Sequence, residues 1–299
     1  MAIPLPVAEL MLREACRRPI GGRGLFFGRS TVLIEPDELS ALFHLLGLRP
    51  ASNTVEIDTV TKAARDYPDK KFVTDSTFYR WLGVERIDVA DVSDYEGANI
   101  VHNICDPLPS NLVGQYDFIF NSSVLDNVFD PAAALRHMTA ALKPGGRIFH
   151  IEMGSPDCFP YLIFTPGWFQ DYYAINDFER CQVYVGQIES IEQLLFGPWV
   201  MWGGLPMTGQ RMSAPPFSGI KAVVLAIAER GAASTVNRSP IQGPYRSARD
   251  QQQIDPGMER FLRTSMPYHI AHGTAPGVGE VYDMTLWKWV YCGKYGLRA

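Results

Sequence analysis

The chain has 299 residues, of which 46% are hydrophobic, 20% charged and 12% aromatic, enough apolar surface to bury a core and too little charge for a disordered polymer. A net charge of -5 argues against a whole-molecule electrostatic grip on nucleic acid. The longest clean apolar run, Ala222 to Ala228, falls far short of the roughly 18 residues that a membrane span needs.

At the N-terminus, Glu9, Arg13 and Glu14 interrupt the apolar residues, and no basic stretch precedes an apolar one, so a secretory signal is not expected there. Gly24-Leu25-Phe26-Phe27-Gly28 reads as a first short strand bounded by glycines. Glu35-Pro36-Asp37-Glu38 then opens a helix whose apolar positions are Leu39, Leu42, Phe43 and Leu46, closed by Gly47; acids and proline in the first turn with glycine after the last are helix punctuation. Ser52 to Lys71 is polar and carries no clear period. Asp75 reads as the cap of a second helix running to Gly83.

Arg86 to Val92 alternates as a strand does, and Asn99 to Ile104 is a further candidate strand. Tyr116 to Asn121 is apolar and aromatic, the most strand-like stretch of this half. Asp130 as cap and Pro131 at the first position open a helix with Leu135, Met138 and Leu142 on one face. Lys143-Pro144-Gly145-Gly146 stops it, and Arg147 to Ile151 follows as a strand. Strand, capped helix, turn and strand within 35 residues make a βαβ crossover. Thr165-Pro166 starts another helix toward Asn176, and Cys181 to Val185 and Lys221 to Ala228 read as two later strands. The expected fold class is therefore α/β: a doubly wound, mostly parallel sheet with helices on both faces. That domain is expected to span 1–236. Residues 237–299 hold eight Lys/Arg against five Asp/Glu and are rich in Pro, Gly and Gln; they read as a C-terminal extension packed on the domain or used for a partner, with the strand-like Trp287 to Tyr291 available for docking and homo-oligomer formation. Five scattered cysteines, Cys16, Cys105, Cys158, Cys181 and Cys292, without a CxxC, read as free thiols of a reducing, cytoplasmic setting.

Tyr116 to Glu152, YDFIFNSSVLDNVFDPAAALRHMTAALKPGGRIFHIE, resembles class I S-adenosylmethionine-dependent methyltransferases. Asp117 stands in the fourth strand of that family, Asn121-Ser122-Ser123 in the polar loop after it, Leu125 to Pro131 in the following turn, and Leu142 to Gly146 in the turn before the fifth strand. Upstream, Ile87 to Pro109 is similar to the family's second and third motifs, so the resemblance covers about 65 collinear residues. It implies S-adenosylmethionine as cofactor and a small-molecule, sugar or lipid-intermediate acceptor, held where ligands lie in such sheets, across the carboxyl ends of the strands. Asp91 is then placed for the two ribose hydroxyls, which a carboxylate accepts in short charge-assisted bonds. Asn103 and Ile104 are placed for the adenine edge and ring face, and Asn121 and Ser122 for the strand-four tip. The family's glycine-rich first motif is reduced here to Gly28-Arg29-Ser30-Thr31; the resemblance assigns Gly28 to the turn and Arg29, as a bidentate fork, to the methionine carboxylate.

Methyl transfer from a sulfonium needs alignment and dryness, with a base only for an acceptor that must lose a proton. Asp126, His150 and Glu152 are the candidate catalytic groups, His150 and Glu152 sharing one face of a strand by alternation. Phe159, Tyr161, Phe164, Trp168, Tyr172 and Tyr173 line an acceptor pocket or pack the core. A non-catalytic binding or scaffold subunit on the same fold is the alternative reading. Tyr67 to Lys71 has the YxxxK spacing of short-chain reductases, but Pro68 breaks the helix it needs, and His269 and His272 have no third ligand close in sequence to make a metal site.

Overall fold

The computed structural model describes residues 2–156, 160–206, 221–272, 281–284 and 287–296. Twelve strands are present: β1 (Ala2–Ile3), β2 (Gly22–Phe27), β3 (Thr31–Val32), β4 (Val84–Asp91), β5 (Ile100–Val101), β6 (Tyr116–Ser122), β7 (Leu142–Met153), β8 (Arg180–Ile188), β9 (Trp199–Leu205), β10 (Lys221–Glu229), β11 (Val281–Met284) and β12 (Trp287–Tyr295). Ten of them form one sheet in the order β11-β12-β9-β8-β10-β7-β6-β2-β4-β5, while β1 and β3 pair separately. The five strands from β5 to β7 are mutually parallel. β10 runs antiparallel between β7 and β8, so β8 again points with the parallel set. β9, β12 and β11 continue the sheet by antiparallel pairing. Seven strands thus share one direction, and strand order reverses at β2, with β4 on one side and β6 on the other.

The helices are α1 (Leu5–Arg17), α2 (Pro36–Leu45), α3 (Lys62–Asp66), α4 (Asp75–Leu82), α5 (Pro131–Ala141), α6 (Pro166–Ile175), α7 (Ile191–Phe196) and α8 (Ala248–His272). They divide the core in two. On one face, α1, α2 and α4 bury Leu10, Phe43 and Phe78 against Phe26, Phe120 and Phe149. On the other, α5, α6 and α8 bury Met138, Phe169, Tyr173 and Phe261 against Ile119, Ile148 and Ala226. Of the described helices, none is long and apolar enough to cross a membrane.

Local chemistry explains the boundaries. The Asp130 side chain accepts from Ala133 N at 3.0 Å, and Pro131 takes the first position of α5, where its missing N–H costs nothing. Glu35 and Glu38 form a reciprocal capping box on α2. The second helix is capped one residue earlier than its sequence suggested: Thr74 Oγ1 accepts from Thr77 N at 3.1 Å, which leaves the Asp75 carboxylate for another partner. The candidate strand over 99–104 shortens to Ile100–Val101, because Asn99 turns its side chain onto Val89 N and Asp88 instead of extending the ladder.

Both ends of the chain are built into the framework. The interrupted N-terminus is the buried helix α1, whose charges are satisfied in place. Arg13 forks onto Glu9 at 2.7 and 3.0 Å, Gly296 N donates to Glu9 at 2.7 Å, and Glu14 accepts from Arg17, Arg147 and Arg180. The C-terminal segment joins the same framework, with Tyr295 opposite Trp199 across the β12–β9 pair. α8 lies on α6 so closely that a Cβ on Gly257 would stand 2.5 Å from Ala174 O.

Candidate active site

An open sheet offers its ligand crevice where strand order reverses, outside the carboxyl ends. Here that point is the end of β2, between β4 and β6. Gly28 leaves the strand with φ 71°, and its N–H donates to Ala90 O at 2.8 Å, which ties the turn to the last residues of β4. Only a residue without a Cβ adopts that backbone cheaply. Arg29 follows, its Nε and Nη2 forked on the Asp75 carboxylate at 2.8 and 2.5 Å. This uses one edge of the guanidinium, and no described residue bonds Nη1. Ser30 N also donates to Asp75, at 3.1 Å. Beside this turn is a cavity of about 170 Å³ walled by Arg29, Ser30, Asp58, Thr61, Asp75 and Glu96.

Asp91 ends β4 half-buried. Its Oδ1 accepts from Val92 N at 2.6 Å, and no described residue bonds Oδ2. Asn103 folds its side chain back, Oδ1 accepting from Cys105 N at 3.1 Å. Ile104 is buried in the core with α5, and its carbonyl accepts from His137 Nδ1 at 2.7 Å. Its side chain is core packing.

At the neighbouring ends of β6 and β7 the structure gathers Asn121, Asp126, His150 and Glu152, all four without solvent exposure. Register explains the meeting: Asn121 lies opposite His150 and Ser122 opposite Ile151, and alternation returns Glu152 to the face of His150. Asn121 Nδ2 donates to His150 Nδ1 at 2.8 Å and to Glu152 Oε1 at 2.5 Å, while its Oδ1 accepts from Val124 N at 3.3 Å. The imidazole therefore carries its proton on Nε2, which donates to Tyr173 OH at 2.6 Å. Burial depresses His150 to a pKa of about 3, so it is neutral. Both its nitrogens are engaged, which closes it to the role of general base; it fixes Asn121 instead.

Glu152 Oε2 accepts from Asp126 N at 3.0 Å. Burial lifts its carboxyl well above the usual range, and the adjacent Asp126 charge adds to the rise. Burial raises Asp126 as well, against hydrogen bonds with Ser123, Met153 N, Asn127 and Glu152. Ser123 is bent into the left-handed region, φ 57°, and its hydroxyl donates to Asp126 at 2.7 Å.

A pocket of about 200 Å³ opens against this cluster. Ser122, Ser123, Asp126, Asn127 and Glu152 form its polar end; Met153, Pro160, Leu194, Leu195, Trp199 and Val223 form the rest, roofed by Ala2 and Pro4. The aromatic residues expected there lie elsewhere. Phe164, Tyr172 and Tyr173 are buried core, Tyr161 is 75% exposed, and Trp168 packs edge-on against Phe164; Phe159 lies outside the described residues. Leu194, Leu195 and Trp199 carry no motif, and only the antiparallel return of β10 and β8 brings them to the mouth.

A crossover sheet with carboxylate, glycine turn and polar pocket at its switch point defines a ligand-binding α/β enzyme framework. A family model described as a methyltransferase domain matches residues 34–195, more than half of the chain, and the chain belongs to that methyltransferase family. No curated protein matches it. Similar solved structures include an S-adenosylmethionine-dependent methyltransferase from Thermotoga maritima, 15% identical with a TM-score of 0.37 over 75% of this chain and 89% of that one. The N-methyltransferase NodS from Bradyrhizobium japonicum WM9 in complex with S-adenosylhomocysteine is 12% identical, with a TM-score of 0.34 over 75% and 85% of the two chains. The cofactor is S-adenosylmethionine. The switch point fits it: Asp91 has an oxygen to give, Arg29 a guanidinium edge, and Gly28 the backbone turn that keeps side-chain bulk out of the crevice.

Proposed function

We propose that the protein methylates a small molecule seated in the pocket at the ends of β6 and β7, with the cofactor across the ends of β2 and β4. The observation that carries the reading is the adjacency of two regions across β2: the glycine turn and Asp91 on one side, Ser122 and the carboxyl cluster on the other, with Asp91, Ser122, Asp126 and Glu152 inside the residues that the methyltransferase domain matches. Bound cofactor would supply a methyl carbon on a sulfonium, whose C–S bond breaks with its electron pair kept by sulfur as the acceptor lone pair forms the new bond.

The chain's own residues hold and align. Asp91 would accept the ribose hydroxyls, Asn103 would face the adenine edge, and Ile104 would support the ring only through packing beneath it. Asp75 aims Arg29 so that its second edge meets the methionine carboxylate, and Gly28 lets the backbone pass. Asp126 and Glu152 form the acceptor-side polar wall, with Asn121 and His150 behind them as positioning residues. Alignment of reacting atoms in a dry site supplies most of what such a displacement needs.

The test is calorimetric titration with S-adenosylhomocysteine of the wild-type protein and Asp91→Ala. We expect micromolar binding that the substitution weakens roughly tenfold, the worth of a charge-assisted hydrogen bond. A folded protein that binds neither S-adenosylhomocysteine nor S-adenosylmethionine would overturn the reading and favour a scaffold role.

A further inference from the structure

The polar end of the acceptor pocket has a one-sided chemistry. A hydroxyl or a primary amide normally offers both donor and acceptor, yet here the donors are consumed inside the wall. Ser123 gives its hydrogen to Asp126, at 2.7 and 2.8 Å to the two oxygens. Asn127 spends its amide hydrogens on Ser123 O at 2.8 Å and Asp126 Oδ1 at 2.6 Å. Ser122 directs its hydroxyl to Ala2 O at 3.4 Å. What these three side chains have left is lone pairs, with the carboxyl cluster directly behind them. Among the described residues, no lysine, arginine or histidine lines the pocket, and the remaining wall is aliphatic apart from Trp199.

We propose that the acceptor is an apolar molecule whose methyl-accepting group brings its own hydrogens, an amine or a hydroxyl, and that carboxylate and phosphate acceptors are rejected. This rests on the methyltransfer reading and narrows it. An amine or hydroxyl donates to Ser123 Oγ and Asn127 Oδ1, and an apolar body covers Leu194, Leu195 and Trp199. A carboxylate would meet lone pairs at the polar end and a negative charge behind them; such mismatch costs more at a partly buried wall than in open solvent. The proton released on methylation has a carboxylate within the wall to receive it.

Three compounds of one skeleton test the assignment: 3-phenylpropylamine, 3-phenylpropan-1-ol and 3-phenylpropanoate, each titrated into protein saturated with S-adenosylhomocysteine. The amine and alcohol should bind, and the propanoate at least tenfold more weakly. Ser123→Gly, whose backbone already has the left-handed conformation that glycine favours, should narrow that discrimination below threefold without altering S-adenosylhomocysteine affinity. Asp126→Asn frees hydrogens into the rim and should narrow it in the same direction. Equal or tighter binding of the propanoate, no binding of any of the three, or unchanged discrimination in both variants would overturn the assignment. Because S-adenosylhomocysteine binding is measured in the same samples, its loss would instead count against the methyltransfer reading.

Discussion

His150 and Glu152 stand two residues apart on one strand and respond to pH in opposite directions. Burial holds the His150 pKa near 3 against an ordinary 6.5, so the folded state refuses a proton that the unfolded chain takes up, and stability falls as pH drops below about 6.5. At pH 5 this amounts to about 2 kcal/mol. His150→Gln, which cannot take the proton, should lose less stability than wild type between pH 7 and 5 in denaturant unfolding. Glu152 is raised above its ordinary 4.5 by burial. Its contribution is full below that value and is lost as pH rises through the folded pKa. Glu152→Gln should therefore gain on wild type as pH rises above 4.5, until the folded carboxyl ionises; a constant gap between the two midpoints would show that Glu152 ionises freely in the fold.

Among the elements, α1 owes its place to one carboxylate. Glu14 is 1% exposed and accepts from Arg147 at 3.1 Å and Arg180 at 2.9 Å, joining the helix to β7 and β8. Burial alone would raise its pKa, but the Arg180 charge with Arg17 and Arg147 outweighs it and the carboxyl stays below 4.5. Glu14→Gln removes the charge that two buried guanidinium groups share and should cost about 3–5 kcal/mol in urea unfolding. The polar residues that interrupt this apolar segment are the ones that fix it. Beside the local Glu9–Arg13 and Glu14–Arg17 pairs, the partners Arg147, Arg180 and Gly296 lie more than 100 residues away in sequence, beyond any local pattern. α5, by contrast, was legible to within a residue because its cap and proline are local, although Leu142, read as part of its apolar face, instead opens β7, which also takes in Lys143 to Gly146.

For the molecule as a whole, the C-terminal segment is expected to behave as part of the core. Cys292 and Tyr295 are each 5% exposed within the cluster that holds α1, Arg13 lies 4.7 Å over the Tyr295 ring, and Gly296 N bonds Glu9. Deleting 237–299 would bare this surface together with the α6 face under α8. The truncated protein should melt at least 10 °C lower or aggregate, as expected for loss of several kcal/mol in a domain of this size; an unchanged melting temperature would show that the segment only adorns the fold.

The sequence by itself determined the parallel half of the sheet, the crossover from β6 through α5 to β7, and the family resemblance they carry, because periodicity, capping and turn residues act over a few positions. It also singled out Asp126, His150 and Glu152. It did not separate them: which carboxyl lies at the pocket wall and which imidazole is sealed behind it depends on cross-strand register and on Tyr173 arriving from α6. Tertiary structure alone decided that Thr74 caps α4 and leaves Asp75 to orient Arg29, and that Ile104 is core. It also decided that residues of α7 and β9, unmarked in sequence, meet Ala2 and Pro4 over the strand ends. Contacts of that kind are set by how strands return and helices dock, and no local run of residues encodes them.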